Sequence, residues 1–434
     1  MNDHSRLIDL NTPQERAFLI GIDVRDGGWP IGRSLIELAA LTETAGASVV
    51  GSAFQRRPQA DPLWYFGKGR AAELIEEKGA NDFNVLIVDD EISHTQQRNL
   101  EKLLDCKVLD RSALIIDIFA RHARTHEGRL QVELAQLEYH LPRLTRMWTH
   151  LSRTGGGIGT RGPGETQLET DRRVIRDKIK KVRAELADVK RQRATAAGQR
   201  VRSKVATVAL VGYTNAGKST LLNRLADADV FVADMLFATL DPTSRQVSLP
   251  SGQRIVMTDT VGFINKLPNA LVDAFRATLE EVLRADLLLE VVDTTDPDFM
   301  AQQTAVQSVL DELGAGAKPR ITVFNKIDRL DADLRPGPMP SSERAVFVSA
   351  LSGEGLPELV ARVGDALRAG MTAVDALVPY ERGELLARAR TSGDVEQEYQ
   401  AGGVRVSGHL PQAIAGEVAA AGRRNGRARR ISQR

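Results

Sequence analysis

Gly212-Tyr213-Thr214-Asn215-Ala216-Gly217-Lys218-Ser219-Thr220 follows the apolar run Val205 to Val211 and precedes Leu221-Leu222-Asn223-Arg224-Leu225. The pattern is G-x-x-x-x-G-K-S between a strand and a helix, the context that a phosphate-binding loop requires. Two glycines let the backbone curl so that its N–H groups face a phosphate chain. The N-terminus of the new helix adds positive potential. Lys218 is placed to reach the outer phosphates, and Ser219 to ligate Mg2+.

Downstream, three more motifs follow in a fixed order, each at the end of an apolar run. Arg254 to Thr258 delivers Asp259-Thr260-Val261-Gly262. There Asp259 would hold Mg2+ through water and the Gly262 N–H would sense a terminal phosphate. A further apolar strand, Leu287 to Asp293, comes next. Ile321 to Phe324 leads into Asn325-Lys326-Ile327-Asp328. A carboxylate at Asp328 can accept from guanine N1–H and the 2-amino group together, and adenine has neither donor, so the pair selects GTP over ATP. Val346 to Val348 ends in Ser349-Ala350-Leu351, whose backbone would meet guanine O6. This is the motif order of translation-factor-like P-loop GTPases, with GTP/GDP and Mg2+ as ligands. Between the first two motifs, Phe237-Ala238-Thr239-Leu240-Asp241-Pro242-Thr243 offers Thr239 or Thr243 as the hydroxyl that closes over Mg2+. The Phe-Ala-Thr-Leu setting favours Thr239. Phe263 stands after Gly262, where a glutamine would orient the attacking water. An apolar side chain cannot do so, which predicts slow intrinsic hydrolysis. Asn215 either supports a potassium ion in place of an arginine finger or packs the loop. The expected catalytic set is Lys218, Thr239, Gly262 and Asn215, and the expected metal ligands are Ser219, Thr239 and Asp259.

Upstream of residue 111, short apolar runs alternate with helical patterns. Phe18 to Val24, Val49-Val50 with Phe54, Val85 to Val88 and Lys107 to Leu109 read as strands. Ser34 to Ala45, Arg70 to Lys78 and Ser93 to Leu104 read as helices. The alternation implies a parallel sheet covered on both faces. Asp89-Asp90-Glu91 could hold a metal, but a helix-capping acidic loop is the stronger reading. Ser112 to about Leu141 is helical, with Gly128 the expected break and Pro142 the stop. Glu165 to Arg193 is a long charged helix with an apolar stripe at Leu168, Ile175, Ile179, Val182, Leu186 and Val189. That stripe predicts packing on the preceding helix as a two-helix arm. Residues 194 to 203 read as a linker.

The chain has 434 residues and a net charge of +1, yet Arg143 to Lys204 holds 17 Lys/Arg against 6 Asp/Glu. Such a local excess suits nucleic-acid contact or a basic solvated helix surface. The lone Cys106 excludes an internal disulfide and a cysteine-based metal cluster. No uncharged run approaches the roughly 20 residues needed to span a bilayer. The expected location is cytoplasmic and the expected state a monomer. Gly157-x-Gly159-x-x-Gly162 matches a dinucleotide fingerprint only formally, because no strand precedes it and Pro163 follows it. With Arg153 and Arg161 it reads as a loop that approaches RNA phosphates, or as a flexible linker.

Arg153-Thr154-Gly155-Gly156-Gly157-Ile158-Gly159 through Gly162-Pro163-Gly164-Glu165-Thr166-Gln167-Leu168-Glu169-Thr170-Asp171-Arg172-Arg173, placed just before the phosphate loop, is similar to the HflX family of ribosome-associated GTPases. So are Leu109-Asp110-Arg111-Ser112 and Gln131-Val132-Glu133-Leu134-Ala135-Gln136-Leu137. The resemblance covers about residues 15–370. It implies a GTPase that binds the large ribosomal subunit and its rRNA through the basic arm, Arg143 to Lys204, and the N-terminal domain. It also implies splitting or rescue of stalled or idle ribosomes under stress. Phe263 is itself part of the family's pattern. Some members are similar to ATP-dependent RNA-remodelling proteins, but no N-terminal motif here supports ATP. Assembly or RNA-modification GTPases and nucleotide-regulated RNA-binding proteins are the rival readings.

The expected fold class is α/β, in five parts. A small parallel α/β domain spans 1–111, and a basic helical arm spans 112–200 with a Gly-rich loop at 155–164. A P-loop GTPase domain with a doubly wound sheet spans 201–370. A short α+β domain spans 371–422, with a helix from Glu381 to Arg390 and a hairpin around Gly402-Gly403. A basic disordered tail, with six arginines, occupies 423–434.

Overall fold

Arg16–Asp23 is buried at six successive positions, which suits a strand with a covered sheet on both faces. In the computed structural model it is β1, the second strand of a four-stranded sheet. The structure describes residues 14–24, 29–144, 163–203, 205–226, 236–237, 242–266, 279–331 and 345–431. It divides into two compact units: Met1–Arg121 with Ala135–Ile179, and His122–Leu134 with Lys180–Arg434.

In the first unit β1 is followed by α1 (Ile31–Thr44), β2 (Ser48–Arg56), α2 (Lys68–Asn81), β3 (Val85–Val88), α3 (His94–Leu104), β4 (Lys107–Asp110) and α4 (Arg111–His122). The sheet order is β2-β1-β3-β4, parallel throughout. Phe18, Ile20, Leu86 and Val88 build one face of the core with Leu74 and Leu100. Ser93 starts α3 through a full capping box: its Oγ accepts from Gln96 N–H, and Gln96 accepts from Ser93 N–H.

The acidic loop after β3 is neither a cap nor a metal cluster. Asp89 is fully buried and accepts from Ser34 Oγ at 2.6 Å and Arg111 Nη1 at 2.8 Å. Arg111, 1% exposed, also donates to Glu37 at 2.6 Å. Asp90 accepts from the Tyr65 hydroxyl. Next door, Asp110 accepts from Arg143 at 2.8 Å and from Tyr139 Oη at 3.0 Å. No group of three or more His, Cys, Asp or Glu among the described residues could hold a metal.

α5 (His126–His140) and α6 (Pro163–Ser203) come next in the chain. The long helical stretch does break, but at residues 123–125 rather than at Gly128. Thr125 Oγ1 accepts from Gly128 N–H at 2.9 Å, so the glycine sits in the capped first turn of α5. Pro163 opens α6, where its missing N–H costs nothing. The stripe along α6 is buried at Ile179, Val182 and Leu186 and half-buried at Ile175 and Val189, while Lys178, Lys180, Lys181 and Arg183 are exposed. The expected linker at 194–203 is helical instead, for α6 runs unbroken to Ser203. Its alanines favour helix as strongly as any residue. Of the Gly-rich loop, residues 155–162 lie outside the described residues.

The second unit holds β5 (Ala206–Gly212), α7 (Lys218–Leu225), β6 (Thr243–Ser248), β7 (Arg254–Asp259), β8 (Leu287–Asp293), α8 (Phe299–Glu312), β9 (Arg320–Asn325), β10 (Ala345–Phe347) and α9 (Leu356–Ala369). Its six-stranded sheet has the order β10-β9-β8-β5-β7-β6, with β6 alone antiparallel. The chain leaves β5 to one side for β7 and returns to its other side for β8. That reversal is a topological switch point, where open α/β sheets bind ligands beyond the strand ends. A second, antiparallel sheet follows, built from β11 (Thr372–Val378), β12 (Asp394–Gln400) and β13 (Gly403–Leu410) in the order β11-β13-β12. α10 (Gly383–Ser392) and α11 (Gln412–Ile431) supply Leu385, Ala389, Ile414 and Val418 to its core. Arg388 clamps Glu417 with two bonds of 3.0 and 3.1 Å. The expected disordered tail is a continuation of α11 as far as Ile431, so the arginines extend a helix that the core already anchors. No helix among the described residues is long and apolar enough to cross a membrane.

Truncating Arg111 to Ala would take the guanidinium from the fully buried Asp89 and the half-buried Glu37. The expected loss is about 3–5 kcal/mol in the N-terminal unit. Hydrogen exchange of the β1 and β3 amides in the full chain reads it; protection equal to wild type would show that the ion network is not structural.

Candidate nucleotide site

The strand ends at the switch point gather the four sequence motifs on one edge of the sheet. β5 stops at Gly212, and α7 starts at Lys218 with Gly217 as its N-cap at φ +92°. A Cβ on Gly217 would lie 2.3 Å from Asn325 Nδ2, so only glycine fits that turn. Asn215 is exposed at φ +60°.

Lys218 is 6% exposed and donates to Gly212 O at 3.0 Å and Tyr213 O at 2.7 Å. Burial pulls its pKa down to about 8, with the Asp259 carboxylate opposing the shift. Ser219 Oγ donates to Asp259 Oδ2 at 2.6 Å. A hydroxyl beside a buried carboxylate is an all-oxygen donor pair that suits Mg2+, which fills its shell with phosphate oxygens and water. Thr260 is fully buried and donates to Leu210 O at 2.6 Å, pinning the start of the loop after β7 to β5. Val261 is buried too.

Gly262 lies against the phosphate loop: a Cβ there would come within 2.8 Å of Thr214 Cα. Phe263 is 3% exposed and zips the segment to the loop, accepting from Thr214 N–H at 2.8 Å and donating to Gly212 O at 3.1 Å. Asn265 N–H donates to Tyr213 Oη at 2.7 Å. Thr220 follows in α7, and Ala216 is buried. Phe237 is buried at φ +56°, and Ala238 and Thr239 lie outside the described residues. Thr243 opens β6 in register with Asp259.

At the other end, Asn325 is 2% exposed and bridges two motifs. Its Nδ2 donates to Ala216 O at 2.9 Å, and its Oδ1 accepts from Ala350 N–H at 3.0 Å. Lys326, at φ +67°, pairs with Asp293 at 2.8 Å. Ser349 is fully buried and donates to Asp328 Oδ1 at 2.5 Å, fixing one carboxylate oxygen. Leu351 is 73% exposed beside it. The Asp293 pairing partner and the Ser349 orienting bond are contributions that motif spacing alone did not signal.

Comparison with known proteins agrees with this geometry. Family models match along the chain: "GTP-binding GTPase N-terminal" at residues 32–120, "GTP-binding GTPase Middle Region" at 122–200 and "50S ribosome-binding GTPase" at 207–326. The chain is 46% identical to the GTPase HflX of Lacrimispora saccharolytica, over 96% of this chain and 98% of that protein. It is 44% identical to the GTPase HflX of Escherichia coli, over 84% of this chain and 86% of that protein. The chain belongs to the HflX GTPase family. A GTP-binding protein of Sulfolobus solfataricus, solved with GDP, covers 81% of this chain and 98% of its own at 22% identity and a TM-score of 0.43. As a member of the HflX family with this P-loop domain, the chain binds GTP and GDP and hydrolyses GTP.

A nucleotide's phosphates favour the charged form of Lys218, whereas burial in the free protein disfavours it. Below pH 8 the ammonium is charged in both states. Above about pH 8 the free protein has lost that proton and must regain it on binding, so GDP affinity should fall by up to about tenfold per pH unit. Titration of GDP binding from pH 7 to 9.5 checks this; Lys218→Met should bind weakly with a flat profile over that range.

Proposed function

We propose that this chain is a GTP-driven switch for the large ribosomal subunit, which uses the GTP cycle to dissociate or rescue stalled or idle ribosomes. The observation that supports it most is the pairing of the gathered GTP-site motifs with Phe263, buried where a water-orienting side chain would be needed. Such a site holds GTP well and turns it over slowly until a partner completes it. The matched family description, "50S ribosome-binding GTPase", and the basic stretch Arg143 to Lys204 point to ribosomal RNA as that partner.

In this reading the phosphate loop N–H groups and Lys218 cradle the phosphates. Ser219, Asp259 and Thr239 would hold Mg2+, which would supply charge neutralisation at the phosphates. The Gly262 N–H faces the terminal phosphate, and its loss on hydrolysis releases the 259–263 segment. Asn215, exposed on the loop, supports a potassium ion. Asp328, oriented by Ser349, accepts from guanine N1–H and the 2-amino group, while Asn325 and the Ser349-Ala350-Leu351 backbone frame the ring. GTP binding then favours a conformation in which the N-terminal domain and the helical arm engage the subunit.

GTP turnover in potassium buffer, with and without purified large subunits and with ATP as control, is the deciding experiment. We expect a rise of at least about tenfold on adding subunits, for GTP only. No rise, or equal use of ATP, would overturn the ribosome-switch reading and favour an assembly or RNA-remodelling role. For base selection, Asp328→Asn should weaken GTP by about 100-fold or more, since two charge-assisted bonds are lost. It should gain xanthosine triphosphate, whose 2-carbonyl accepts from the new amide; competition binding checks this.

A further inference from the structure

Thr214 carries a hydroxyl that none of these roles uses. The residue is third in the phosphate loop, and its N–H is committed to Phe263 O at 2.8 Å. Its side chain is 7% exposed, and Oγ1 is sealed from solvent with no hydrogen-bond partner among the described residues. Burying a hydroxyl without a partner is unfavourable, because its bonds to water are given up and nothing replaces them. A valine of the same shape would avoid that cost, so the hydroxyl calls for a partner that the protein itself does not supply.

The geometry narrows where that partner comes from. A Cβ built on Gly262 would lie 2.9 Å from Thr214 Cγ2 and 3.0 Å from Lys218 Nζ. The threonine side chain and the lysine ammonium therefore converge on one glycine and lie no more than about 6 Å apart. The hydroxyl is carried on the same Cβ as that methyl, and it meets a phosphoryl group held by Lys218 only when nucleotide opens the loop that seals it here. The methyl packs on Gly262, and a β-branched side chain has few rotamers, so the hydroxyl has few directions open to it once the loop admits a phosphate.

We propose that Thr214 Oγ1 donates a hydrogen bond to the terminal phosphoryl group of GTP, a contact that GDP cannot make. This rests on the GTP-site reading above. A hydroxyl bonded to a phosphoryl oxygen is charge-assisted, and it strengthens as charge builds on those oxygens in the transition state. Thr214 is then a catalytic residue in a site without the water-orienting glutamine, and it also makes the loop discriminate GTP from GDP.

The test uses the full chain with Thr214→Val, Thr214→Ser and Lys218→Ala. The readouts are kcat and KM for GTP, affinities for GDP and a non-hydrolysable GTP analogue, and the melting temperature without nucleotide. Thr214→Val should lower kcat by about 10-fold or more and weaken the analogue about tenfold, with GDP affinity within about twofold. Its nucleotide-free melting temperature should equal or exceed wild type, and Thr214→Ser should keep most of the turnover. Unchanged kcat and analogue affinity in Thr214→Val would overturn the proposal. So would an equal loss of GDP affinity, or a lower melting temperature, since either assigns the hydroxyl to loop structure. If wild type and Lys218→Ala turn over GTP alike, the site reading itself fails, which the Thr214 variants alone would not show.

Discussion

The side-chain amide of Asn325 is the constraint on which the nucleotide site depends. One buried group joins the phosphate loop, through Ala216 O, to the segment after β10, through Ala350 N–H. The backbone carbonyl of the same residue accepts from Thr294 N–H at 3.1 Å and Thr294 Oγ1 at 2.7 Å, which ties in the end of β8. Those bonds hold only if the strands beneath are in register, as they are at Asp293↔Asn325 and Phe347↔Phe324. A slip of one residue would turn every side chain to the other face of the sheet. The parallel sheet, whose core is Val208, Leu210, Leu289, Val291, Ile321 and Val323, is thus what sets the distance between the phosphate and guanine ends.

The phosphate end is electrostatically unfinished by design of its burial. Lys218 has exchanged water for two backbone carbonyls, and neutral acceptors compensate a desolvated ammonium only in part. The depressed pKa is the measure of that deficit. Asp259 sits in the same buried setting with Ser219 as its neighbour. Cation and carboxylate are held near each other without neutralising one another completely, so a phosphate chain accompanied by a divalent cation matches both at once. Phe263 packs its ring into the interior beside the loop and ties the segment to it through backbone bonds to Gly212 and Thr214.

Much of this was legible in the chain because the motifs are local. The phosphate loop, Asp259 to Gly262, Asn325 to Asp328 and Ser349 to Leu351 each carry their chemistry within a few residues, and each falls where a parallel strand ends. The helix read over Ser93 to Leu104 likewise stands as α3, with Ser93 as its cap. Interactions distant in sequence left no such trace: the Arg111–Glu37 pair spans 74 residues and Arg111–Asp89 spans 22. β6 was missed for a different reason. Thr-Ser-Arg-Gln-Val-Ser has one fully buried position, Val247, and stands as an edge strand by pairing with β7 rather than by apolar pattern. At residues 194–203 small and basic residues suggested a linker, where alanine content and continuity with a stable helix decide the other way.

Charge segregation adds a last physical step. Arg143 to Lys204 holds a local excess of +11 while the whole chain stands at +1, so the remainder carries about −10. On α6 the apolar stripe is turned inward at Ile179, Val182 and Leu186, which leaves Lys178, Lys180, Lys181 and Arg183 to the solvent. At physiological salt such fields fade within about 8 Å, so a net charge near zero draws no polyanion from a distance. Close in, a cationic helix face favours phosphate-rich surfaces through counterion release, as a general matter of electrostatics. The sequence therefore concentrates its excess of cations on the solvent face of one long helix while the chain as a whole stays close to neutral.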